Sequence, residues 1–369
     1  MGNTTEQVSN TGFGAMMLVF LVGSSMTIPL ASVAGHDAWI SILIGTVGSF
    51  GLAYVYVRVC RLFPGKSLLD IVGVLFGSWA KRIAGLLYAW YSFHLGILVL
   101  RIFVDFISTV ALLKTPNLVI SIVMMSVVLW AAYAGIEVLA RCSLVVLFFI
   151  LVEGAFSVIL MSKDFDFSNL MPILDRGWGP VMEGATQIVS FPFGETVLFA
   201  MILPSIRKIS RTNKLVFVIL LCGGLMMLVV NVRNSLVLGE AASRMIFTTY
   251  TAYQYISNAD FLERVEPLAI VTWVMGGFVK SCVCLYVCAQ ALAAVLPVKH
   301  YRPYLLPIVI LTIEVSFFIY KTGTESVQFA LWVWPWYSLP FQLLIPLAVL
   351  LIAVIFKKRT AAPAAPNGG

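Results

Sequence analysis

The chain has 369 residues, of which 60% are hydrophobic and only 11% charged, with a formal net charge of +7. A mean hydropathy of +0.98 excludes a soluble globular domain and places the chain among polytopic membrane proteins. The positive charge does not imply nucleic acid, because the Lys and Arg residues stand in short clusters between apolar stretches, as loops on the cytoplasmic side of a membrane do.

The N-terminal MGNTTEQVSN has no basic region ahead of its apolar run and does not read as a cleaved signal peptide. Apolar runs long enough to cross a bilayer fall near 12–34, 38–60, 83–112, 117–135, 141–161, 184–205, 214–238, 267–296, 303–320 and 338–356, which gives ten expected spans. The expected architecture is therefore an all-α, polytopic transmembrane domain over residues 1–359, with a disordered, Ala/Pro/Gly-rich tail at 360–369. With the N-terminus inside, Arg58, Arg61, Lys66, Lys81, Arg82, Arg141, Arg207, Lys208, Arg211, Lys214, Lys299, Arg302, Lys357, Lys358 and Arg359 are cytoplasmic. Only Lys114, Lys163, Arg176, Arg244, Arg264 and Lys321 lie outside, so the positive-inside bias places both termini in the cytoplasm.

Span 1 carries an interruption at Gly23-Ser24-Ser25, with Pro29 one turn later. Between spans 2 and 3, residues 64–81 place Leu68, Leu69, Val72, Leu75 and Phe76 at helical spacing on a segment too short to cross, which predicts a cytoplasmic interfacial helix. The Gly-Lys-Ser there is not a nucleotide loop, because Cys60 stands where that motif requires its first Gly. In span 3, Tyr88, Tyr91, His94, Arg101 and Asp105 lie close to one helical face; Arg101 and Asp105 are spaced to pair, and Tyr91 is either a ligand contact or a packed aromatic. Glu153 in span 5 and Glu314 in span 9 are isolated carboxylates at membrane depth, which read as functional or as bonded to a neighbouring helix.

Span 6 is where the sequence is most informative. The motif Phe191-Pro192-Phe193-Gly194-Glu195 sets a residue without an N–H, a helix-weakening Gly and a carboxylate in mid-span, so the helix is expected to break there. Irregular backbone at that depth is tolerated where it lines a cavity or is buried in protein. Spans 1 and 6 each open a set of five, about 12–161 and about 184–356. Five is odd, so the halves run in opposite directions, and paired breaks in inverted halves point to a transporter-type site at the midplane. Half-helix ends and unwound carbonyls suit a small zwitterion. Its carboxylate is expected near Gly23, Ser24 and Ser25, its amine near the carbonyls of Phe191–Phe193 or near Glu195, with Phe193, Gly194 and Phe199 around it and Tyr91 alongside. The alternative for the serines is small-residue packing.

Span 8 holds Lys280 well inside its apolar run, and Glu263-Arg264-Val-Glu266-Pro267 reads as its charged entrance. A lysine at that depth should face the bundle interior and find carboxylates, carbonyls or water. The six cysteines, Cys60, Cys142, Cys222, Cys282, Cys284 and Cys288, have no metal-ligand spacing with His and read as small apolar residues. The three histidines, His36, His94 and His300, form no hydrolase or metalloprotease motif, so no enzyme, metal or cofactor is expected.

Ile28-Pro29 after a small-residue break, Asp37-Ala-Trp39-Ile40, Gly85-Leu86-Leu87 with Tyr91, Leu113-Lys-Thr115-Pro116, Phe193-Gly194-Glu195, and Glu263-Arg264-Val-Glu266 leading to Trp273 together resemble the spore germination permeases. These are the B subunits of nutrient germinant receptors, and the resemblance covers nearly the whole chain. It implies the inverted five-plus-five fold of the amino acid–polyamine–organocation transporters, with helices 1 and 6 discontinuous. It further implies a place in the spore inner membrane, a nutrient ligand such as an amino acid, and A and C subunits as partners. The first break departs from the Gly-x-Gly common in that family, which leaves the ligand's identity open. In transporters of this fold helix 8 meets broken helix 1 where some hold sodium; Lys280 there implies an ammonium in place of the ion, bonded to carbonyls near Val22 and Gly23, or else paired with a carboxylate such as Glu314. The expected function is nutrient sensing through this pocket; the alternative is a proton- or cation-coupled amino acid transporter.

Overall fold

The computed structural model describes residues 7–25, 27–206, 212–254, 266–296, 298 and 300–361. Of the residues singled out above, Arg207, Lys208, Arg211, Glu263, Arg264 and Lys299 lie outside these, as do the tail from 362 and the side chains of Ser24, Lys357, Lys358 and Arg359.

The described residues are almost wholly helical. Helix α1 is Asn10–Ser25, α2 Ala38–Leu62, α3 Leu68–Phe76, α4 Ser78–Val110, α5 Asn117–Ala134 and α6 Ile136–Met161. The second set begins with α7, Trp178–Ile188, and the short α8, Phe199–Ile202, and continues with α9 Thr212–Leu238, α10 Thr248–Gln254, α11 Glu266–Val295 and α12 Arg302–Ile319. It ends with α13 Gly323–Gln328, α14 Trp334–Leu339 and α15 Ile345–Ala361. Among the described residues, nine helices or helix chains are long and apolar enough to cross a membrane, and α1 is a shorter apolar helix of 16 residues. Lipid, rather than a partner side chain, suits the outward faces, where Phe148, Ile159, Phe318 and Trp130 stand exposed.

The two longest single helices, α4 with 33 residues and α11 with 30, pack against each other along their length. They are the third members of the two inverted sets. At about 1.5 Å per residue each exceeds a hydrocarbon core of about 30 Å, which accommodates tilt or extension beyond the bilayer. Helix α11 also carries α1 and α6 on its flanks, so the first and last spans of the first half both meet it.

Two expectations change. Span 1 is not broken at Gly23-Ser24-Ser25, since α1 stays helical through Ser25 and the irregular backbone follows at 27–31. The Ser25 hydroxyl bonds back to Leu21 O at 2.5 Å, which is compatible with helix; Pro29, without an N–H and restrictive of the residue before it, is the breaker. Ala31 beyond it is left-handed, with φ 56°, and a 3₁₀ turn at Ser32–Asp37 leads into α2. Span 10 also begins earlier than expected, at Gly323 rather than 338. Pro335 and Pro340 appear there as stops in sequence, but wide π turns at Phe329–Val333 and Pro340–Leu344 absorb them without ending the span.

Within residues 64–81 the expected helix forms as α3. Ser67 caps it by accepting from Asp70 N at 3.2 Å, while Asp70 accepts from Ser67 N at 3.3 Å, a reciprocal box. Partial burial would raise the Asp70 pKa, but the Lys81 ammonium at 2.7 Å and the Ser67 hydroxyl outweigh it and hold the carboxyl below its ordinary value. Gly77, with φ 89°, then turns the chain into α4.

Candidate ligand site at the helix breaks

The span-6 break is present where the sequence placed it. Helix α7 runs into a π turn at Val189–Phe193, within which Phe191 leaves helical geometry at φ −132° and ψ 111°, and a 3₁₀ segment at Gly194–Leu198 carries Glu195. Phe191, Phe193, Gly194, Glu195 and Phe199 are all buried. Glu195 is fully enclosed, and so is Lys280 of α11, whose Nζ donates to Glu195 Oε2 at 2.5 Å. The ammonium also lies over the rings of Phe191, at 4.3 Å, and Phe20, at 4.9 Å. Two charges out of water are sustained only by close pairing, and aromatic faces add to the stabilisation of the cation. The carboxylate partner of Lys280 is thus Glu195 and not Glu314, which stands exposed on α12.

Gly23 has a packing role. A Cβ at Gly23 would sit 2.6 Å from the backbone of Gly276, so α1 and α11 touch backbone to backbone one turn from Lys280. Ser25 points away from the pair and lines a separate cavity. Phe199 packs edge-on against Phe13 and Phe20 of α1, with centroids at 5.5 and 5.2 Å.

Tyr91 is buried beside this pair, stacked on Phe341 at 4.9 Å and Trp334 at 5.5 Å. Its hydroxyl accepts from Gln342 Nε2 at 2.8 Å, and the same amide donates to Ser190 O at 2.9 Å. Gln342 fills the space that a side chain at Gly194 would need. The Tyr56 hydroxyl donates to Gln342 O at 2.6 Å. Gln342 and Tyr56 therefore bind the break of span 6 to spans 2, 3 and 10. Neither stood out in sequence; a lone Gln at membrane depth, which must satisfy its amide in protein, was the available signal.

Arg101, Asp105, His94 and Glu153 are held in pairs or networks. Arg101 Nε donates to Asp105 Oδ2 at 2.7 Å, as the spacing anticipated, and Arg101 Nη2 donates to Lys321 O at 3.2 Å, joining α4 to the start of span 10. His94 bridges the hydroxyls of Tyr337 and Tyr320 at 2.9 Å each. Glu153 accepts from the Tyr253 hydroxyl on α10.

The geometry has close relatives. The family model described as "Spore germination protein" matches residues 7–326. Spore germination protein KB of Bacillus subtilis (strain 168) is 31% identical over 349 residues, covering 93% of this chain and 94% of the relative. Among solved structures, MHP1, a nucleobase-cation-symport-1 family transporter in a closed conformation with bromovinylhydantoin bound, superposes with a TM-score of 0.68 at 12% identity, covering 100% of this chain and 97% of that one. MhsT in complex with L-phenylalanine gives 0.62 at 13% identity, covering 95% and 89%. The fold is that of these transporters, with discontinuous helices 1 and 6.

Proposed function

The chain belongs to the spore germination permease family, and from that premise we propose that it is a germinant-sensing membrane subunit that binds a small nutrient, an amino acid, at the midplane. Family and fold are those of germination proteins and transporters and not of enzymes. In this reading the protein sits in the spore inner membrane with both termini cytoplasmic and works with A and C subunits.

The observation that carries the reading is the Glu195–Lys280 pair at the span-6 break, fully enclosed and resting against α1. Glu195 Oε1 is buried without a hydrogen-bond partner among the described residues. An incoming ammonium supplies a donor to that oxygen, and Tyr91, Phe191, Phe193 and Phe199 enclose the solute's apolar part. The fixed ammonium of Lys280 at the contact of α1 and α11 takes the place of a coupling cation, so response does not require sodium. Binding then shifts the pairing of Glu195 between Lys280 and the ligand, and that exchange biases the position of the broken helix.

The test is the germination response of spores carrying Glu195→Gln, with the exposed Glu183→Gln as control, in sodium and in choline buffers. The reading expects a response weakened at least tenfold by Glu195→Gln, unchanged by Glu183→Gln and indifferent to choline. An unchanged Glu195→Gln response would remove this residue from the site, and a strict sodium requirement would overturn the role given to Lys280.

A further inference from the structure

A second concavity lies beyond the end of α1, away from the Glu195–Lys280 pair. It is a cavity of about 50 Å³ enclosed by Ser25 at the end of α1, the irregular segment Ile28–Pro29–Leu30, the start of α2, one face of α9 and the first turn of α10. None of its lining residues among those described is charged.

Two of its polar lining residues, Asn234 and Thr249, are bonded to each other. Asn231 Oδ1, by contrast, is buried without a hydrogen-bond partner among the described residues. Ser25 ends α1, and the last carbonyls of a helix lack the next turn of N–H donors and carry its negative dipole end. One part of the wall is thus rich in acceptors. The serines Ser32 and Ser235 also line the cavity, and each carries a hydroxyl that can donate. Arg233 donates to Ser157 Oγ and to Asn234 Oδ1 at 2.9 Å, and Asn234 Nδ2 donates to Thr249 Oγ1 at 3.0 Å, so the network reaches the wall through Asn234 and Thr249. That network fixes α6, α9 and α10 and uses up the nearby charge, with Glu153 held by Tyr253.

We infer that this cavity is a second binding site, for a small solute of no net charge that carries N–H donors at one end and an acceptor group at the other. Its amine faces Asn231 Oδ1 and the open carbonyls of α1, and its acceptor end faces Ser32 and Ser235. At about 10–15 Å³ per water-sized group, the volume holds roughly three to five such groups. That admits a glycine-sized zwitterion and excludes an aromatic amino acid. The site is separate from the midplane reading, since none of Tyr91, Phe191, Glu195 or Lys280 lines it.

The experiment is equilibrium binding of radiolabelled glycine to the full chain in nanodiscs, with L-phenylalanine as competitor. Asn231→Leu removes the acceptor, and Ala242→Phe fills the cavity from its partly exposed rim without removing a hydrogen bond. The inference expects glycine to bind the wild type, each variant to weaken it at least tenfold, the exposed Glu183→Gln to leave it unchanged, and L-phenylalanine not to displace it. No glycine binding by the wild type, which would make this a water cavity only, overturns the inference, and so does wild-type binding in both variants. Loss in Glu195→Gln alone would support the midplane site and sink this one; the reverse pattern would support this site and leave the midplane reading without its ligand.

Discussion

At the scale of single residues, Glu195 and Lys280 are costly groups to bury, and each makes the other tolerable. Both are fully buried and their charged atoms are 2.5 Å apart. Removing one partner strands the other charge, which costs roughly 3–5 kcal/mol, whereas replacing both with apolar groups is often neutral. Lys280→Met should therefore lower unfolding stability in detergent by roughly that amount, and the double variant Glu195→Leu/Lys280→Met should recover most of it. A double variant as unstable as the sum of its singles would mean that the two charges do not act as a pair. Each of these residues was conspicuous in sequence because ionisable groups are rare at membrane depth. Their pairing was not, since 85 positions separate them and only the topology brings span 6 against span 8. Gln342 was missed for a related reason. A neutral amide in an apolar run carries little signal until its partners, Tyr91 and Ser190, are seen around it.

At the scale of elements, the contact between α1 and α11 positions the site. The two backbones meet at Gly23 and Gly276, with room for no Cβ on either side. Gly276→Ala should thus overpack the seam and cost about 1–3 kcal/mol. It should also weaken ligand response more than Gly51→Ala, because nothing stands within 4 Å of a Cβ at Gly51. Equal stability and response in the two variants, by thermal unfolding and a binding titration, would show that the seam is not tight. The span-6 break was legible because Pro192 and Gly194 adjoin a carboxylate, a combination with little reason to occur in an uninterrupted helix. The span-1 break was placed a few residues early, because glycine and serine serve close packing as readily as they weaken a helix. Span 10 was read short because only its last apolar run, from 338, was counted; π turns carry the helix chain from Gly323 past Pro335 and Pro340 into that run.

At the scale of the whole molecule, hydropathy and the odd number of spans in each half were enough to expect the inverted fold, because the bilayer permits so few ways to satisfy a backbone. What those signals do not carry is whether the broken helices move a solute across the membrane or only report its presence. The two uses share a fold and a pocket and differ in whether both sides open in turn. In this structure the residues at the span-6 break are buried, and Gln342, Tyr56 and the Glu195–Lys280 pair tie the break to its neighbours. On the proposed function, binding rearranges these ties without passing the ligand through. The most direct measurement sets equilibrium binding of a radiolabelled amino acid to the purified protein beside its uptake into proteoliposomes, with choline in place of sodium. The account predicts saturable binding without uptake; saturable uptake against a gradient would contradict it.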